Sequence, residues 1–135
     1  MTRVKRFALL VVLVHLLVVA VHGRAHRHLI IPLTRAQEIF ILAAVLLGPL
    51  VAVLLLASRA PRAGAWLLLL SLAASLAFGA YYHFLAIGPD NVGSVSSSGW
   101  GRIFQASSVL LVLTEALGVG VGIALLRKSK SASVA

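Results

Sequence analysis

The charged residues of this chain are spaced so that they leave four long stretches almost free of charge. Between Arg6 and Arg24 lie seventeen residues with no Lys, Arg, Asp or Glu, Ile39 to Ser58 gives twenty more, Ala63 to Pro89 gives twenty-seven, and the twenty-four residues from Ile103 to Leu126 hold only Glu115. A helix crossing the hydrocarbon core of a bilayer needs about 20 mostly apolar residues, with roughly 17 as the lower limit. The spacing predicts an all-α integral membrane protein, a four-helix bundle forming one transmembrane domain over residues 1–135. Its helices are expected near 7–22, 38–57, 66–87 and 103–126, with short outer loops at 23–37 and 88–102 and an inner loop at 58–65. Runs such as FALLVVLV and WLLLL lack the in-out alternation of a barrel strand.

Composition narrows the classes further. With 61% hydrophobic and 11% charged residues, the chain is neither an ordinary soluble domain, about a quarter of which is charged, nor a disordered segment, which lacks apolar residues to bury. The twelve basic residues outweigh three acids, but they punctuate apolar runs instead of gathering on one wet face, so no nucleic-acid partner is expected. The absence of cysteine excludes disulfides, thiolate metal sites and cysteine nucleophiles.

The first span also fits a secretory signal peptide, with Val18 and Ala20, or Val21 and Gly23, as a small-residue cleavage site. His15 interrupts its apolar region and favours a retained membrane helix. Counting basic residues on alternate sides places Arg3, Lys5, Arg6, Arg59, Arg62, Arg127, Lys128 and Lys130 together, against Arg24, Arg27, Arg35 and Arg102. Short loops rich in Lys and Arg stay cytoplasmic, so both termini are expected inside, in the cell's inner (plasma) membrane. Trp100 is expected to anchor the fourth helix at the lipid interface.

Local signals refine the helices. Thr34 followed by Gln37 is a capping box that starts the second helix near Arg35. Gly48 and Pro49 fall inside that helix and predict a kink, because proline removes a hydrogen bond that a neighbouring helix must replace. Small residues mark contact faces where lipid surrounds helices: Ala44, Gly48 and Ala52 on the second, Ser71, Ser75 and Gly79 on the third, and Ser108, Glu115, Gly118 and Gly122 on the fourth.

Three groups of residues carry possible chemistry. Glu115 lies about 20 Å along the last helix from Arg102, and an acid at that depth costs at least about 2.5 kcal/mol. It should face the bundle, as a proton-binding group, a counter-charge for a cation, or a structural donor to another helix. His15 and His83 each sit about 10 Å below the outer boundary, the minimum arrangement for two axial haem ligands or part of a metal site; interhelical hydrogen bonding is the plainer role. At the outer rim, His22, His26 and Glu38 form a candidate site for zinc or copper, with His28 and Gln37 beside it. The four-residue step puts His22 and His26 on one helical face, while Arg24 and Arg27 oppose a cation there.

Paired carboxylates, a Gly-x-Ser-x-Gly serine and a strand-to-helix glycine loop are all missing, so no catalytic residue is assigned. The expected function is a non-enzymatic four-span protein acting as an accessory or packing subunit beside other membrane proteins, or as a homo-oligomer. The alternatives are a haem- or metal-binding redox module built on His15 and His83, and a small proton-coupled transporter using Glu115.

Overall fold

The computed structural model describes residues 2–131, with side chains through residue 128. The end of the polar tail beyond residue 131, expected from sequence to fray, and the side chain of Lys130 lie outside the described residues. The described residues are helical, with four helices long and apolar enough to cross a membrane. These are α1 (Arg3–Leu29), α2 (Arg35–Ala57), α3 (Pro61–Leu85) and α4 (Gly99–Ser131). No strand occurs among the described residues.

The helices outrun the apolar stretches. α1 continues seven residues beyond its expected end, since Arg24, His26, Arg27 and His28 remove hydrophobicity without breaking a helix. It stops where Ile30 enters the left-handed region at φ 53° and its N–H turns back to Arg27, a conformation that costs a β-branched residue roughly 1–2 kcal/mol. The expected 23–37 loop is therefore only residues 30–34, and Thr34 then caps α2 by the reciprocal bonds with Gln37 that the sequence predicts. At the other end of the chain α4 begins at Gly99, ahead of Arg102, for the same reason.

Cross-helix contacts fix the topology. His15 meets Thr114 and His22 meets Ser107, so α1 and α4 run antiparallel. Leu72 packs against Gly118 and Leu69 against Gly122, making α3 antiparallel to α4; Ser71 against Gly48 and Ala52 against Gly64 do the same for α2 and α3. The result is an up-down-up-down bundle. A Cβ on Gly48 would stand 2.6 Å from that of Ser71, and one on Gly122 would stand 2.9 Å from that of Leu69, so these two glycines set how closely the backbones approach. α1 packs along α4, α4 along α3 and α3 along α2, while α1 and α2 touch only sparsely.

The interior divides by depth. Toward the termini it is apolar, built from Ala8, Val12, Ala52, Leu56, Leu68 and Leu72. Toward the 30–34 and 86–98 connections it is polar, holding His22, His26, His83 and Asp90.

The expected kink takes the form of a π-helical segment, Ile41–Leu47, directly before Gly48 and Pro49. Gly48 N–H reaches back five residues to Ala43, widening the helix where proline cannot close the ordinary ladder. Proline leaves the carbonyl four residues earlier, that of Val45, without its usual donor; His15 Nε2 donates to that oxygen at 3.1 Å. His15→Ala should cost about 1–3 kcal/mol by stranding this buried carbonyl. The loss should be smaller in a Pro49→Ala background, where the substituted position supplies a backbone N–H of its own. Unfolding in mixed detergent micelles measures this cycle, and equal losses in both backgrounds would show that the carbonyl is not what His15 serves.

Candidate metal centre

Three imidazoles from two helices converge at the polar end of the bundle. His22 and His26 sit one turn apart on α1, and His83 comes from α3 within a second π-helical segment, Tyr81–Leu85. One ring nitrogen from each lies within 4.8 Å of the others, and all three residues are buried. The rings touch edge to face, with centroids 4.9 Å apart for His22 and His26 and 4.7 Å for His22 and His83. Phe104 of α4, fully buried, packs against all three and separates them from the lower core.

Polar contacts at each ring favour one protonated nitrogen. With the Ser107 hydroxyl donating to the Phe104 carbonyl at 3.0 Å, Ser107 accepts at its 2.9 Å contact with His22 Nδ1, the tautomer that leaves Nε2 bare. His83 Nδ1 faces the Asp90 carbonyl at 3.1 Å, an atom that only accepts. His26 Nε2 lies 2.9 Å from Asp90 Oδ1, an ion-pair distance not aligned as a hydrogen bond. With those positions protonated, the remaining nitrogens, His22 Nε2, His26 Nδ1 and His83 Nε2, carry lone pairs. The first two are buried and have no hydrogen-bond partner. Fixing one imidazole nitrogen through an outer partner so that the other can bind a cation is the usual second-layer arrangement of metal-binding histidines.

Asp90 reaches this site because its loop is tied down. Asn91 donates from its side chain to Ala86 and accepts from Gly93 N–H, closing the turn, and Gln105 of α4 donates to Val92. Burial alone would raise the Asp90 carboxyl, but the imidazoles of His26 and His83 outweigh it and hold the group well below the ordinary carboxylate range.

The other sequence candidates are distributed around this centre. Glu38 is exposed at the mouth of the adjoining cavity and is not among the three converging residues; Asp90 provides the carboxylate next to the histidines. His15 is not brought together with His83: it serves the Val45 carbonyl, while His83 joins the rim histidines. His28 stacks on Trp100 with centroids 4.0 Å apart, and Arg24 lies over the same indole, clamping the end of α1 to the start of α4. Glu115 is buried, and its Oε2 has no hydrogen-bond partner. Asp90, Phe104 and Ser107 are the residues that sequence reasoning missed; the seven-residue step from His83 to Asp90 across Gly88 and Pro89 was the available signal for the first.

No family model matches the chain, and neither a curated protein nor a solved structure matches it.

A carboxylate held below its ordinary value, near 3.8, stabilises the fold at neutral pH, and this contribution fades as acid protonates it. Asp90→Asn should therefore lose on the order of 1–2 kcal/mol at pH 7. The gap from the parent protein should narrow from about pH 4 toward pH 2. Thermal melts across that range test this, and a gap independent of pH would remove the carboxylate charge as its cause.

Proposed function

We propose that this chain is a membrane-spanning metal-binding protein in which His22, His26 and His83 bind one transition-metal ion and Asp90 and Ser107 hold the rings in place. The observation that carries this reading is the convergence of one ring nitrogen from each of three buried histidines to within 4.8 Å, with His22 Nε2 and His26 Nδ1 buried and unpartnered. Three neutral imidazoles suit zinc, copper, nickel or cobalt. Three protein ligands also leave a further position for water or another molecule. The spacing of the rings supports an ion over haem: imidazoles in mutual contact leave no gap for a porphyrin plane, which has to pass between its two axial ligands.

Membrane placement is supported by the outward surface, where Leu17, Leu54, Leu70 and Leu117 stand more than half exposed, as lipid-covered positions do. The excess of basic residues at the end that carries both termini supports a cytoplasmic location for them. The small-residue faces that pointed to partner subunits are engaged within the bundle, at Gly48 on Ser71 and Gly122 on Leu69. They lend no support to an accessory role, and the histidine cluster supports one of its own.

Purified protein in detergent, stripped with chelator and titrated with Co²⁺, should take up one equivalent and develop a visible ligand-field absorption. His22→Ala, His26→Ala and His83→Ala should each abolish it, whereas His28→Ala, which alters only the Trp100 stack, should bind as the parent does. Ser107→Ala should weaken binding about 10–100-fold while keeping the stoichiometry. Failure of the parent protein to bind stoichiometric Co²⁺ or Zn²⁺ refutes the assignment.

A further inference from the structure

The histidine cluster occupies one corner of a cavity of about 480 Å³, far more room than an ion and its water require. All four helices contribute to the cavity, and much of its wall is apolar, with Ile41 and Val45 from the π-helical part of α2, Phe78 from α3 and Leu111 from α4. A volume in this range with few polar groups is typical of sites for small organic molecules.

The polar groups have one dominant sign. The chain has only three acids, Glu38, Asp90 and Glu115, and all three line this cavity, against a single cationic side chain, Arg27. In a protein of net charge +9, that gathering favours a cation inside. Asp90 is engaged with His26 and His83, and Glu38 stands at the exposed mouth. Glu115 is buried, 2% exposed, with Oε2 unpartnered; the Asp90 carboxylate, also buried, has imidazoles at ion-pair distance.

The absence of a side chain at Gly79 leaves space beside that carboxyl. An ideal Cβ there would stand in ordinary contact, 3.7 Å from Glu115 Oε2 and 3.8 Å from His83 Cδ2, so the glycine leaves room for a group of about methyl size between the acid and the imidazole. A buried carboxyl oxygen without a donor is costly, and an incoming ammonium group would supply both a donor and the opposite charge.

We infer that this cavity binds a small organic amine with an apolar body, its ammonium group at Glu115 beside Gly79 and its body against Ile41, Val45, Phe78 and Leu111. The ligand site adjoins His83 but holds the amine through none of the metal ligands, and it does not require the histidines to be loaded.

The test uses full-length, chelator-stripped protein in detergent micelles and three probes with one rigid body: 1-aminoadamantane, 1-adamantanol and 1-adamantanecarboxylate. Titration calorimetry, with empty micelles as blank, should show the amine binding about tenfold or more tighter than the alcohol, the expected advantage of a charge-assisted bond. The carboxylate should not bind above the blank. Glu115→Gln should bring the amine to within about twofold of the alcohol while its Co²⁺ titration matches the parent's. Gly79→Val, which fills the gap without removing the acid, should weaken the amine and serves as a second variant if Glu115→Gln does not fold. Equal binding of amine and alcohol by the parent, or an unchanged amine preference in Glu115→Gln and Gly79→Val, would overturn the inference. Loss of Co²⁺ binding by the parent would instead count against the metal assignment and leave the amine result standing.

Discussion

The hydroxyl of Ser107 has one hydrogen and two neighbours, the Phe104 carbonyl at 3.0 Å and His22 Nδ1 at 2.9 Å. With the hydrogen on the carbonyl, His22 donates through Nδ1 and presents Nε2 bare in a buried place. The Asp90 loop does for His83 and His26 what Ser107 does for His22, using a main-chain carbonyl and a carboxylate. Protein interiors rarely leave such nitrogens without a partner, since an unmade buried hydrogen bond costs about 1–3 kcal/mol. Two unpartnered buried ring nitrogens beside a third imidazole are thus a deficit that one metal ion can cancel, and its binding energy would add to the stability of the fold.

The cavity has its own origin in backbone chemistry. Pro49 cannot donate, so α2 widens through Ile41–Leu47 and His15 crosses from α1 to satisfy Val45. That single bond lies deeper than the histidine cluster and joins two helices that otherwise touch little. Beyond it, toward the 30–34 connection, residues of both helices line the cavity. π-Helical segments are rare and recur at functional sites; here one lines the cavity and the other, Tyr81–Leu85, carries His83 to its rim.

The helices were legible because charge is so costly in an apolar span that its spacing marks where spans can lie, although not where helices stop. Arg24 and Arg27 end the apolar run of α1 without ending its hydrogen bonds. For that reason His22, His26 and His28 share one helix and not a loop. The i, i+4 pair His22 and His26 could be read from periodicity alone. Pairing His83 with His15 relied on equal depth, and depth does not determine which way a residue faces around the helix axis; the π-helical turn changes that direction for His83. Asp90 was hidden because a polar residue after Gly-Pro resembles any exposed turn, and only the Asn91 and Gln105 bonds fold it inward.

Acid placement links the charge pattern to the chemistry. A chain with twelve basic residues and three acids could pair each acid with a nearby cation. Instead Asp90 is paired with imidazoles, and Glu115 lies where no Lys or Arg shares its part of α4 between Arg102 and Arg127. Keeping basic side chains at the ends of the helices has two consequences: it supports the expected orientation in a bilayer, and it leaves Glu115 with no Lys or Arg on its own part of α4. In the proposed reading, the cation that completes this interior comes from outside the chain, as a metal ion near the histidines or as an ammonium group at Glu115.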